Sequence, residues 1–181
     1  GLNGKETAQL FIYGNHDTEG YTWGSTISSV GSETAQAQGI GKRRAEAWEQ
    51  CFKEPYQPIW MKTIKGYHFI GAHWENQSHI SGLADFLQKH DSELTTDGKP
   101  FFFYIQHPHP KDTCNCAWAW GRDDGTVTKL LSKYPNAIAF SGHSHSPLDD
   151  DRNLWQGSFT SIGTSSLKYL YPMPARENTY Q

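Results

Sequence analysis

The chain has 181 residues, enough for one domain with a substantial core. A net charge of −3, with charged residues at only 19%, excludes an overall basic footprint for nucleic acid. No apolar run reaches the ~18 residues that a transmembrane helix needs, so the sequence carries no membrane signal.

In chain order, the first apolar run is Leu10-Phe11-Ile12-Tyr13, stopped by Gly14. It reads as a buried strand of a mostly parallel sheet. Residues 18–32, rich in Gly, Ser and Thr, read as a long loop. Residues 33–52 read as a helix with Ala45, Trp48 and Phe52 on one face, weakened early by Gly39 and Gly41 and ended by Pro55 and Pro58. Segments 59–65 and 67–74 flank Gly66 as a β-hairpin. Ile80, Leu83, Phe86, Leu87 and His90 recur at helical spacing, and Asp97-Gly98-Lys99-Pro100 forms a turn. Residues 101–105 are a second buried strand. A third helix covers 126–134, with Asp123 or Asp124 near its N-cap and Pro135-Asn136 behind it. Strands at 137–140 and 158–162 follow. Short apolar strands alternating with helices predict an α/β fold, one domain across residues 1–181.

Three of these strands run straight into polar clusters. Residues 10–13 lead into Gly14-Asn15-His16-Asp17, 101–105 into Gln106-His107-Pro108-His109, and 137–140 into Ser141-Gly142-His143-Ser144-His145. In parallel α/β sheets ligands bind beyond the carboxyl ends of the strands, so the three clusters are expected to converge. Imidazole and carboxamide groups suit Zn, Mn, Fe or Ni. Gly14 and Gly142 are expected to turn the chain sharply and to allow close backbone approach. His143 and His145, two residues apart, share a face if the segment is extended.

In order along the chain, these residues resemble the calcineurin-like metallophosphoesterases. That family carries Asp-x-His, Gly-Asp-x-x-Asp/Asn, Gly-Asn-His-Asp/Glu, a lone His after a strand, and Gly-His-x-His. The last three elements are present between residues 14 and 145, and Phe159-Thr160-Ser161-Ile162-Gly163-Thr164 resembles the closing strand. The resemblance implies a sandwich of two mixed β-sheets flanked by helices. It implies two divalent transition metals (Mn, Fe, Zn or Ni), with Asn15, His107 and His143 on the second metal and His145 on the first. It implies that His16 serves the leaving group in hydrolysis of a phosphate monoester or diester, while Asp17 holds its loop.

The first two elements do not occur ahead of Leu10. In the family they supply an Asp and a His to the first metal and the Asp shared by both. The expectation is therefore a truncated domain, inactive or nearly so on its own and holding one metal or none, whose parent is a hydrolase. An incomplete sheet has an exposed edge, which invites pairing with a second copy. The alternatives are a non-catalytic interaction module and, further off, a sugar-binding surface built from the aromatic residues, which include seven Trp.

Other candidates have plainer readings. His109 rivals His107 but does not end the apolar run directly, so it reads as a loop residue lining the cleft. His107, His109, Cys114 and Cys116 lack the Cys-x₂₋₄-Cys spacing of structural zinc sites. Asp149-Asp150-Asp151 and Lys42-Arg43-Arg44 read as solvated, and His68, His73, His79 and His90 as structural. Trp118, Trp120 and Trp155 fall in loops near the clusters, with packing as their default role.

Overall fold

The computed structural model describes residues 7–14, 40–73, 80, 82–104, 107–120, 123–166 and 170, with backbone alone at 40–44 and 104. Its centre is a mixed six-stranded sheet. Strands β1 (Ile59–Ile64) and β2 (Tyr67–Ala72) form the predicted hairpin, pairing from Ile64↔Tyr67 to Ile59↔Ala72. Lys65 and Gly66 both have positive φ, 51° and 80°, the backbone of a two-residue turn whose twist matches its strands. Strands β3 (Phe101–Tyr104), β4 (Ala137–Ser141) and β6 (Thr160–Gly163) continue the sheet in parallel from β2, and β5 (Leu154–Gln156) closes it antiparallel to β6. The order is β1-β2-β3-β4-β6-β5. The helices are α1 (Ile40–Phe52), α2 (Leu83–Lys89), α3 (Asp91–Thr95) and α4 (Thr126–Leu131).

Alternation along the strands sorts side chains onto two faces. Ile70, Phe101, Phe103, Ala137 and Ala139 are buried on one face, against Leu83 and Leu87 of α2, Leu94 of α3, and Val127 and Leu131 of α4. The neighbouring residues Phe69, Phe102, Ile138 and Phe140 take the other face and are only half buried. There Phe69 stacks on Phe102 with ring centroids 4.9 Å apart, and Phe140 follows at 6.3 Å.

The sequence expectations differ from the structure in four places. Residues 10–13 are not a strand. Their aromatic side chains and one amide are used elsewhere: Phe11 packs on Phe52 at 4.8 Å, Tyr13 packs on Trp48 at 5.3 Å, and the Tyr13 N–H donates to His73 Nδ1 at 3.0 Å. The predicted helix around residues 80–90 breaks at His90 into α2 and α3, and the third helix stops at Leu131. β5 was not expected, because three residues, Leu154-Trp155-Gln156, are too short for an alternation to show. The described residues form one sheet; the part of the expected first helix before Ile40 lies outside them.

Two interactions make the fold testable. Trp60 pairs across the hairpin with Gly71, and a Cβ on Gly71 would sit 2.0 Å from the indole, so only glycine fits. Gly71→Ala is expected to lower unfolding free energy by about 1–3 kcal/mol, the usual cost of overpacking, as measured by urea denaturation. Tyr134 packs edge-on to Phe101 at 5.6 Å and donates its hydroxyl proton to Asp91 Oδ1 at 2.9 Å. Burial, then the Asp91 bond and charge, push its pKa from 10.0 up to about 12. The folded state keeps this proton where the unfolded state has lost it. The resulting stability is present below pH 10 and is lost as pH rises towards about 12. Tyr134→Phe should flatten this part of the alkaline decline in the urea midpoint.

Candidate functional site

Because β2, β3, β4 and β6 are parallel, their carboxyl ends lie along one edge of the sheet. The segments leaving β3, β4 and β6 line an open cleft of roughly 350 Å3, bounded by Ile12, His107, His143, His145, Thr164 and Ser165 among others. The loops after β3 and β4 thus meet at one edge, as their strand-end positions predict; the first segment, which is not a strand, reaches the cleft with Ile12 and Gly14, and its Asn15, His16 and Asp17 lie outside the described residues.

His107 is the hinge of this arrangement. A Cβ on Gly14 would lie 3.2 Å from its ring, and one on Gly142 would lie 3.4 Å away, so two glycines flank the imidazole. The His107 carbonyl accepts the Gly142 N–H at 3.0 Å. Its ring meets that of His143 at 5.1 Å and 78°, nearly perpendicular. The Trp118 indole, 53% exposed, stacks on the His143 ring at 5.6 Å and 18°. Close approach, rather than a bend at Gly142, is what the structure shows for this glycine.

The bend falls on the histidines themselves. Ser144 N–H donates to Gly142 O at 2.8 Å, closing a three-residue turn centred on His143, whose φ is +66°. A γ-turn with positive φ at its centre is the rare and strained form. His145 also has positive φ, +50°. Each left-handed non-glycine residue costs about 1–2 kcal/mol. The expectation of an extended segment is therefore corrected: His143 and His145 both reach the cleft through the turn, and not by strand alternation. The turn leaves Ser144, only 1% exposed, beneath them.

Under the turn lies a buried polar network. Ser144 Oγ is 3.0 Å from His109 Nε2 and 3.2 Å from Ser146 Oγ. Asn115 Nδ2 contacts His109 Nε2 at 3.1 Å and donates to Asn153 Oδ1 at 3.3 Å. Asn153 Nδ2 donates to the Pro147 carbonyl at 2.6 Å, which fixes its amide and leaves Oδ1 to accept from Ser146 Oγ at 2.5 Å. The Asn115 amide nitrogen must then face Asn153 Oδ1, so His109 Nε2 accepts and its proton sits on Nδ1. His109 is fully buried, so it does not line the cleft as the sequence suggested. Burial, and secondarily the nearby His143, lower its pKa from 6.5 to about 3, which keeps it neutral.

The remaining candidates resolve simply. The Cys114 thiol is buried and donates to the Ser161 and Asn153 carbonyls at 3.2 and 3.3 Å. Burial raises its pKa, the opposite of what a thiolate ligand requires. Asp150 holds Arg152 in a two-pronged pair at 2.9 and 2.7 Å. Asp124 accepts the Thr126 N–H at 2.8 Å at the start of α4, and Asp123 accepts the Lys111 N–H at 2.7 Å. His73 is buried in the aromatic cluster, while His68 and His90 contact Thr63 and Glu93. Trp155 packs on Phe159 at 5.1 Å. Asn15, His16, Asp17 and His79 lie outside the described residues, as do the side chains of Lys42, Arg43 and Arg44.

Among the described residues, no three His, Cys, Asp or Glu side chains group as a metal site. The ligand set implied by the resemblance contains no such group within them: His107 and His143 go with Asn15, and His145 stands apart. Sequence reasoning missed Ser144, Asn115 and Asn153, because isolated polar residues in loops have no periodicity to betray them. No protein-family model, curated protein or solved structure matches this chain.

Proposed function

We propose that the chain is part of a calcineurin-like metallophosphoesterase, a hydrolase acting on a phosphate monoester or diester. The observation that carries this reading is the meeting of Gly14, His107 and the Gly142–His145 turn at one cleft on the carboxyl edge of the sheet. Each belongs to a different motif of the resemblance, and distant parts of the chain had to fold together for them to touch.

The residues present fit a metal on chemical grounds. Two imidazoles stand 5.1 Å apart and nearly perpendicular, with glycines clearing the space around one of them. In this reading Asn15, His107 and His143 hold one cation and His145 contributes to the other. Their nitrogen-rich character suits Mn, Fe, Zn or Ni. When bound, two such cations supply activation of water and neutralisation of phosphate charge. The chain's own part is to aim His107 and His143 from adjacent strands, to wall the cleft with Ile12, and to present His16 to the departing oxygen as a proton donor. The half-buried row Phe69, Phe102 and Phe140, on the face opposite α2, α3 and α4, supports the sandwich reading, since a second sheet would pack on such a face. A second copy pairing along an exposed edge would use β1 or the short β5.

The alternative is an interaction module with one metal or none. Elemental analysis of the purified chain separates the two. The phosphoesterase reading expects bound transition metal that is lost in His107→Ala combined with His143→Ala. A wild-type chain that takes up no metal after incubation with Zn2+ or Mn2+ supports the module instead. Metal retained by the double variant refutes this placement of the site.

A further inference from the structure

The two strained histidines face the cleft, yet the residue between them is buried in a network that reaches three other segments. Ser144 Oγ contacts His109 Nε2 at 3.0 Å, in the loop after β3, and lies within 3.4 Å of Asn115 Nδ2. Ser146, in the loop after β4, donates to Asn153, just before β5. The Ser165 hydroxyl, from the segment after β6, donates to the Ser146 carbonyl at 2.5 Å. His109, Asn115, Ser144, Ser146 and Asn153 are all at most 7% exposed. His109 Nδ1 and Asn115 Oδ1 are buried without a partner among the described residues, but the other polar atoms of the network bond one another out of reach of water, which favours one geometry. Space around it is also tight: a Cβ on Gly163 would sit 2.6 Å from Asn153 Oδ1 and 3.0 Å from the His109 ring.

We propose that this network is a positioning device, anchoring Ser144 from below so that His143 and His145 are locked in their left-handed conformations and aimed into the cleft. His109, Asn115, Ser146 and Asn153 touch no substrate in this scheme; they act through Ser144. The device rests on the metal reading only for what the imidazoles are aimed at. Its effect on the turn is independent of any metal.

The test uses the full chain with Ser144→Ala, which deletes one hydroxyl. Ser146→Ala is the second variant; it loosens the network from outside the two-histidine turn and keeps the question open should the first fail to fold. Backbone 1H, 13C and 15N chemical shifts of residues 142–146 are recorded without metal, and Zn2+ affinity is measured by competition with a chromophoric chelator. The proposal expects shifts at His143 and His145 to move away from left-handed values, more in Ser144→Ala than in Ser146→Ala. Zinc affinity should fall about 10- to 100-fold, as when outer-shell partners of metal ligands are removed. Folded variants whose shifts at His143 and His145 stay at wild-type values overturn the network's role, even if their urea midpoints drop. Shifts that move in chains without zinc affinity support the network and overturn the metal reading alone.

Discussion

The parallel pairing of β3 with β4 and of β4 with β6 is the constraint on which the rest depends. Phe103 meets Ala139 and Phe140 meets Ile162, so the strands leave the sheet at the same edge. Antiparallel pairing at either position would send one loop to the far side and dissolve the cleft. The pairing is enforced by burial. Phe101, Phe103, Ala137 and Ala139 must all face α2, α3 and α4, and a slip of one residue would turn each of them to the opposite face.

On that frame the cleft is built from close backbone approach and stored strain. His107 fits between two glycines, and the next loop bends on histidine, not on glycine. A left-handed histidine persists only where its surroundings over-determine it. The hydrogen bonds below Ser144 and the Ser165–Ser146 bond are such surroundings. The cleft-facing histidines and the polar core are thus two sides of one short turn.

Much of this was legible in the sequence. The hairpin around Gly66, the strands at Phe101 and Ala137, and the placement of His107 and His143 at strand ends all follow from apolar runs bounded by turn residues. What escaped was decided by packing between distant segments. Residues 10–13 have a strand's composition, but Phe11 and Tyr13 pack instead against Phe52, Trp48 and His73. His109 sits two residues from His107 with the same kind of neighbours, and only the fold sends one ring into the cleft and the other into the core. Local pattern cannot distinguish them, because the difference lies in what Asn115 and Ser144 place around the second ring.

The same topology has a kinetic consequence. Ile64 and Tyr67 are almost adjacent in the chain, so the β1–β2 hairpin closes quickly and locally. Phe101 finds Ala137, and Ile138 finds Thr160, only after much longer loops have lost their freedom. Pairings of that kind slow folding, since closure entropy is spent before contacts return it. The edge that carries the cleft is therefore drawn from the late-forming part of the sheet, and the histidines meet only once the non-local ladder is in place.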